Sequence, residues 1–109
     1  MPKISIIIPT YNESQHLPLL LSDLSIYKKE IEIIVVDSNS GDKTREIAKL
    51  YGAKIYKSKE KNRGLQLNIG ANYAKGKWFL FIHADSRIKK DWLKKIKSKI
   101  SKDVNIIYF

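Results

Sequence analysis

Short apolar runs alternate along this chain with segments whose apolar residues recur every three or four positions. The runs predict five strands, which are Lys3–Ile8, Ile31–Val36, Ala53–Lys57, Trp78–Ile82 and Val104–Phe109. Between these runs, apolar residues that recur every three or four positions predict four helices. Their apolar faces are formed by Leu17, Leu20, Leu21, Leu24 and Tyr27; by Ile47, Ala48 and Tyr51; by Leu65, Ile69 and Tyr73; and by Trp92, Leu93, Ile96 and Ile100. This regular alternation predicts an α/β fold with a doubly wound, mostly parallel sheet.

Proline and glycine mark several of the expected element ends. Pro9 is expected to stop the first strand, Gly52 and Gly76 to end the second and third helices, and Asp42 to cap the second helix. Gly70 lies in the middle of the third helix, where glycine costs about 1 kcal/mol relative to alanine. Close packing of the backbone would explain this residue, as would chance.

Three polar segments follow apolar strands, and together they point to a site. They are Pro9–Glu13, Asp37–Asp42 and His83–Ser86. We expect a Rossmann-like strand order of 3-2-1-4, which places the first and fourth strands side by side at the centre. Ligands of such sheets bind at the carboxyl ends of the strands, where the order reverses. The three segments are therefore expected to share one crevice.

The length of 109 residues predicts one domain, residues 1–109, with a sizeable core. The chain has no cysteine, which excludes disulfides and cysteine-bound zinc and fits a reducing compartment. No run approaches the roughly 20 apolar residues of a membrane span, and no signal peptide is evident at the N-terminus. The expected location is cytoplasmic, with peripheral contact at the inner face of the membrane left open.

The net charge of +10 favours anionic partners or a solvated lysine-rich surface. Arginine, which suits bidentate recognition of bases and phosphates, accounts for only Arg45, Arg63 and Arg87. This composition argues against a specific nucleic-acid partner. Clustered lysines remain compatible with an anionic membrane surface.

The chemistry of the polar segments suits a nucleotide held by side chains and a metal ion. Both the G-x-G-x-x-G fingerprint and the P-loop motif are missing. Asp85 is the best ligand for Mg²⁺ or Mn²⁺, since hard cations take carboxylate oxygen and bridge to phosphates. Asp37 could accept hydrogen bonds from a base or ribose, or could cap its own loop. Arg63, at the start of a helix, suits a phosphate, although a basic loop would look the same.

Together these segments resemble the nucleotide-sugar-binding half of family 2 glycosyltransferases, which have the GT-A fold. Ser5–Glu13 is similar to the opening strand and base-binding loop of the family, and Ile34–Thr44 to its second strand. Phe81–Ser86 occupies the place of the D-x-D segment. A bacterial subgroup with a His-Ala-Asp-Thr segment is closer still, and Arg63–Ala71 resembles its G-R-A-x-Q-M-N-x-G-A motif. In this chain Asn62 stands where a glycine is usual.

The resemblance implies a donor domain that binds a nucleoside-diphosphate sugar, expected to be a UDP-sugar, with Mg²⁺ or Mn²⁺. His83 replaces the first aspartate of D-x-D, so Asp85 alone is carried over as the metal ligand. The residues expected to bind the nucleotide are Pro9, Thr10, Tyr11, Asn12, Glu13, Asp37, Ser38, Asn39, Arg63, Gly64, Gln66, His83, Ala84 and Asp85.

Family members continue beyond the matched region with an acceptor site and a catalytic carboxylate. We therefore expect the chain to be the front part of a longer fold, to bind donor without efficient transfer, and to self-associate through an uncovered sheet edge. Two alternatives remain: a non-catalytic nucleotide-binding module completed by another chain, and a basic module for anionic membrane or nucleic acid.

Overall fold

A five-stranded sheet with order β3-β2-β1-β4-β5 organises the computed structural model, which describes residues 4–99 and 106–108. All four strand pairs are parallel. The strands are β1 (Ile4–Thr10), β2 (Ile31–Asp37), β3 (Lys54–Lys57), β4 (Trp78–Phe81) and β5 (Ile106–Tyr108). The helices are α1 (Leu17–Leu24), α2 (Thr44–Leu50), α3 (Arg63–Tyr73) and α4 (Trp92–Lys99), and a 3-10 turn, Ser25–Tyr27, follows α1.

The structure confirms the expected α/β fold and the strand order 3-2-1-4, and the described residues of the expected fifth strand, β5, pair with β4. The expected end of β1 at Pro9 was wrong, because the strand runs on to Thr10. Proline is accommodated there since β4 pairs only with Ile4–Ile7, which leaves Pro9 paired on the β2 side alone. Several residues of the expected elements lie outside the described part of the chain: Lys3, Ile100, Val104, Asn105 and Phe109.

The two faces of the sheet bury separate apolar clusters. The larger cluster joins α1, α2 and α4 to one face, with Ile6, Ile8 and Val35 at its centre. The smaller cluster joins α3 to the other face around Ile7 and Val36. Both faces of β1 and β2 are therefore covered, as their continuous apolar sequences require.

Gly70 allows α3 to approach the sheet closely. A Cβ at this position would overlap the side chain of Ile7 and come within 3.2 Å of Val36 Cγ2. The close-packing interpretation of this mid-helix glycine is thus the correct one.

Across residues 4–99 and 106–108, no helix has the length and hydrophobicity needed to cross a membrane.

Candidate functional site

A cleft of about 300 Å³ opens at the carboxyl ends of β1 and β4, beside the first turn of α3. It brings together nine of the fourteen predicted site residues: Pro9, Thr10, Tyr11, Glu13, Arg63, Gln66, His83, Ala84 and Asp85. These residues come from three separate segments of the chain. The parallel sheet gathers them because each segment follows a strand or starts the helix between two strands.

The other five predicted residues lie beside or beneath this lining. They are Asn12, Asp37, Ser38, Asn39 and Gly64. Ser38 and Asp37 are buried, whereas the remaining three are exposed. The backbones of Asn12 and Asn39 are left-handed, with φ of 52° and 55°, a conformation that asparagine tolerates better than most residues.

The loops after β1 and β2 are tied together by side chains. Asn12 Oδ1 accepts a hydrogen bond from the Gly41 backbone at 2.8 Å, and the Asn12 backbone donates to Ser40 Oγ at 2.8 Å. The next residues continue the pattern, since Glu13 N donates to Thr44 Oγ1 at 2.9 Å. Asn12 thus holds the shape of the loop that presents Tyr11 and Glu13 to the cleft.

Asp42 adds further hydrogen bonds between the loop after β1 and the loop after β2. Its carboxylate accepts hydrogen bonds from the backbone of Ser14 at 3.1 Å and the backbone of Thr44 at 3.0 Å, and from the Thr44 hydroxyl. Burial raises the pKa of Asp42, but these hydrogen bonds outweigh burial and lower it to about 2. Asp42 was expected to cap α2, but the N-cap position is Lys43, whose side chain makes no capping hydrogen bond; Asp42, one residue earlier, accepts from the backbone of Thr44, the first residue of the helix.

Asp37 lies beneath the cleft with no exposed surface. One carboxylate oxygen accepts from Thr10 Oγ1 at 2.8 Å and from Ser40 Oγ at 2.5 Å. The other accepts from the Ser40 backbone at 2.9 Å and from Arg45 at 3.0 Å. Both oxygens are engaged within the protein, and the bond to Ser40 is the loop-capping contact that the sequence left as an alternative. The contact of Asp37 with a base stays a prediction.

Gln66 fastens α3 to the floor of the cleft. Its side-chain amide donates to the carbonyl of Thr10 at 3.1 Å and to that of Val36 at 2.9 Å. The residue is buried, and these carbonyls stand at the ends of β1 and β2. Gln66 therefore fixes the position of the helix start relative to both strands.

Arg63 and His83 meet across the mouth of the cleft, with Arg63 Nη1 3.2 Å from His83 Nε2. Since arginine can only donate, His83 Nε2 is the acceptor in this hydrogen bond. Asn62, the residue that replaces the usual glycine, caps α3 by accepting from the Leu65 backbone at 3.0 Å. The cap orients the first turn so that the Arg63 guanidinium faces the cleft.

Lys61 is a cleft residue that the sequence analysis missed. Its Nζ lies 4.5 Å from the centre of the Tyr11 ring, a cation–π contact at the edge of the cleft. The residue belongs to the charged loop before α3, and nothing in the spacing of that loop distinguishes Lys61 from Lys59. Only the fold shows which lysine faces the cleft.

Two carboxylates without hydrogen-bond partners face the cleft. Neither the Glu13 nor the Asp85 side chain has a hydrogen bond to residues 4–99 and 106–108. Burial raises the pKa of Glu13, and the negative charges of Asp85 and Asp42 add to this rise, while His16 opposes it. Within the described residues no group of three acidic, histidine or cysteine side chains could hold a metal by itself. Carboxylate oxygen is a ligand type that hard divalent cations take, together with oxygen from phosphate and water.

The comparisons with known proteins agree with this fold. The chain is 37% identical over 95 residues to 4,4'-diaponeurosporenoate glycosyltransferase of Staphylococcus haemolyticus, covering 81% of this chain and 25% of that protein. The crystal structure of TarS 1–349 from S. aureus has a TM-score of 0.80 and 31% identity, with 88% of this chain and 31% of that chain covered. The chain thus spans less than a third of the length of these relatives.

A third match concerns the fold alone. Glucosyl-3-phosphoglycerate synthase of Mycobacterium tuberculosis, solved with Mn²⁺, UDP and glucosyl-3-phosphoglycerate, has a TM-score of 0.67 at 23% identity. The match covers 79% of this chain and 36% of the synthase chain.

The sequence model of glycosyl transferase family 2 matches residues 5–109. The chain therefore belongs to glycosyl transferase family 2, and its fold is that of the nucleotide-sugar-binding half of GT-A glycosyltransferases.

Proposed function

We propose that this domain binds a nucleoside-diphosphate sugar, a UDP-sugar, together with Mg²⁺ or Mn²⁺, for glycosyl transfer to an acceptor. The observation that carries the proposal is that one cleft is lined by two cationic side chains, Lys61 and Arg63, and by the carboxylate of Asp85, which has no hydrogen-bond partner among the described residues. TarS of S. aureus, 32% identical to this chain over the matched region, has been solved in complex with UDP. That complex supports the uridine nucleotide as the first ligand to test.

Asp85 is the residue that would hold the metal ion, with Glu13 beside it in the same cleft. A bound divalent cation supplies charge neutralisation for a diphosphate leaving group. Arg63, at the helix start, would donate hydrogen bonds to the diphosphate, and Lys61 would add a second positive charge. Tyr11 offers an aromatic face at the rim for the base.

Transfer also requires a base for the acceptor hydroxyl and a pocket for the acceptor. We assign neither to the described residues, because Glu13 and Asp85 face the proposed diphosphate position. The domain is therefore proposed as the donor-binding part of the enzyme. The isolated 109-residue chain is expected to bind donor and to transfer little sugar.

Calorimetric titration of the 109-residue chain with UDP, in Mn²⁺ and in EDTA, tests the metal-dependent part of binding. We expect Asp85→Asn to weaken binding in Mn²⁺ at least tenfold and to leave the weak binding in EDTA unchanged. Asp91→Asn is the matched control, since it removes one acidic charge from the exposed residue that precedes α4 and pairs with Lys95. Equal affinity of the wild-type protein and Asp85→Asn in Mn²⁺ would show that Asp85 holds no metal.

A further inference from the structure

A second cavity lies at the opposite end of the sheet from the cleft. It has a volume of about 420 Å³ and is bordered by the segments that enter β2, β3 and β4. The lining combines four lysines with one acid and a few apolar or small residues: Lys28, Lys29, Ile31, Glu32, Ile33, Tyr51, Gly52, Lys54 and Lys75. We call the surface around this cavity the basic face.

Glu32, the acid in the cavity lining, neutralises one of the four lysines. Glu32 is buried and accepts hydrogen bonds from Lys54 Nζ at 2.6 Å, from Ser5 Oγ at 2.6 Å and from the Lys75 backbone at 2.8 Å. Burial raises the pKa of Glu32, but these partners lower it overall, so the acid stays ionised and paired with Lys54.

The remaining three lysines of the cavity are exposed and unneutralised. Lys28, Lys29 and Lys75 form no ion pair with any acid in the described residues. Four lysines and one carboxylate leave a net charge of three around a single concave surface. Such a surface attracts anions to one place on the molecule.

Two exposed apolar side chains lie within two residues, in sequence, of residues that line the basic face. Leu50 is 83% exposed and directly precedes Tyr51 of the cavity lining, while Ile26 is 64% exposed and stands two residues before Lys28. The helix α1, which runs into the 3-10 turn that carries Ile26, contacts α2 on the same side of the sheet. Apolar side chains next to lysines match the two layers of a lipid surface, in which anionic headgroups overlie acyl chains.

The described arginines take no part in this face. Arg45, Arg63 and Arg87 bond to Asp37, His83 and Asp23, and none of them lines the cavity. A face built from lysines suits the diffuse charge of headgroups better than the bidentate recognition of bases. This observation favours a lipid surface over nucleic acid.

We propose that the basic face docks the domain on a membrane surface rich in anionic lipids. The lysines attract the headgroups, and Leu50 and Ile26 enter the boundary between headgroups and acyl chains. The donor cleft, at the other end of the strands, remains open to solution. The proposal does not depend on donor binding.

Sedimentation with lipid vesicles tests the docking proposal. Vesicles of phosphatidylcholine alone are compared with vesicles that contain about 30% phosphatidylglycerol, a content of anionic lipid to which polybasic segments respond. We expect binding only to the anionic vesicles and a fall in binding with salt. The Lys28→Gln/Lys29→Gln/Lys75→Gln variant is expected to lose roughly 100-fold in affinity, since each lysine near an anionic surface contributes about fivefold.

The matched control is Lys43→Gln/Lys57→Gln/Lys59→Gln, which removes the same charge from exposed positions near the carboxyl ends of β2 and β3. We expect this control to retain most of the binding, and Leu50→Asn to weaken binding to anionic vesicles most clearly at high salt. Unfolding curves identical to the wild-type curve would show that each variant is folded.

Three results would overturn the proposal. They are an absence of binding to anionic vesicles, equal losses in the two triple variants, and displacement of the protein from vesicles by single-stranded RNA with tighter binding to the RNA. The second would indicate that only total charge matters, and the third would identify a nucleic-acid surface. Measurement of UDP binding on the same preparations separates these outcomes from a failure of the donor-site proposal.

Discussion

Asp37 joins three side chains beneath the floor of the cleft. Thr10 comes from the end of β1, Ser40 from the loop after β2 and Arg45 from α2. The Arg45 side chain is 31% exposed, whereas Asp37 is completely buried. A buried carboxylate with this many donors contributes to stability by holding groups that would otherwise lack partners.

We expect Asp37→Ala to lower the free energy of unfolding by about 3 kcal/mol, because Thr10, Ser40 and Arg45 lose a charged partner. Urea unfolding measures the change. Asp91→Ala, which removes an exposed acid, should change stability by about 0.5 kcal/mol or less. An Asp37→Ala protein of wild-type stability with lost UDP binding would instead show a residue reserved for the base.

The position of Asp37 was predictable from the sequence, but its surroundings were not. The apolar run before it placed the residue at the end of β2, next to the end of β1. The enclosure of its carboxylate depends on Arg45, which reaches back from α2. The hydrophobic periodicity of the sequence does not indicate the direction in which a surface side chain such as Arg45 extends. Lys61 illustrates the same limit at the mouth of the cleft.

At the scale of elements, α3 links the cleft to the core. Its first turn carries Arg63 to the cleft and is capped by Asn62, while Gln66 and Gly70 attach the following turns to the sheet. The sequence predicted the helix from Leu65, Ile69 and Tyr73. Of these, Leu65 and Tyr73 are exposed, and the buried positions are Gln66 and Gly70. The apolar period therefore located the helix but only part of its buried face, since Ile69 packs against the sheet whereas the two most buried positions are an amide and a glycine.

Gly70→Ala is expected to destabilise the domain by about 1–3 kcal/mol, since the added methyl group overlaps Ile7 and forces α3 away from the sheet. Gly64→Ala in the same helix is the matched control. A Cβ there would lie 3.4 Å from Asn62 Oδ1, an ordinary contact, so the better helix propensity of alanine should stabilise the domain by up to about 1 kcal/mol. Thermal unfolding of both variants measures the difference, and a more stable Gly70→Ala protein would contradict close packing.

At the scale of the whole molecule, the net charge of +10 makes acid conditions unfavourable to the compact state. Protonation of carboxylates removes the negative charges that offset the lysines. The pKa of Asp42 is about 2 in the folded protein, against an ordinary value of 3.8. A depressed pKa in the folded state stabilises the fold above pH 3.8, and this contribution disappears as the pH falls towards 2.

We therefore expect the stability of the wild-type domain to decrease between about pH 4 and pH 2 more steeply than that of Asp42→Asn, whose side chain does not titrate. Urea unfolding at a series of pH values gives the two slopes. Asp91→Asn serves as the control for general charge loss. Parallel slopes for the wild-type protein and Asp42→Asn would show that the connection between the loops after β1 and β2 does not depend on the ionised carboxylate.

The cleft and the basic face lie at opposite ends of the parallel sheet, so the length of the strands sets the distance between them. All described strands run the same way, so the entries into the strands lie at the basic face and the exits at the cleft. β1 has seven residues, which corresponds to roughly 23 Å of strand. In the proposed docked orientation, the proposed donor cleft would lie about one strand length above the lipid headgroups. An acceptor would then have to reach that height above the bilayer surface, as a long chain would and a hydroxyl at the interface would not.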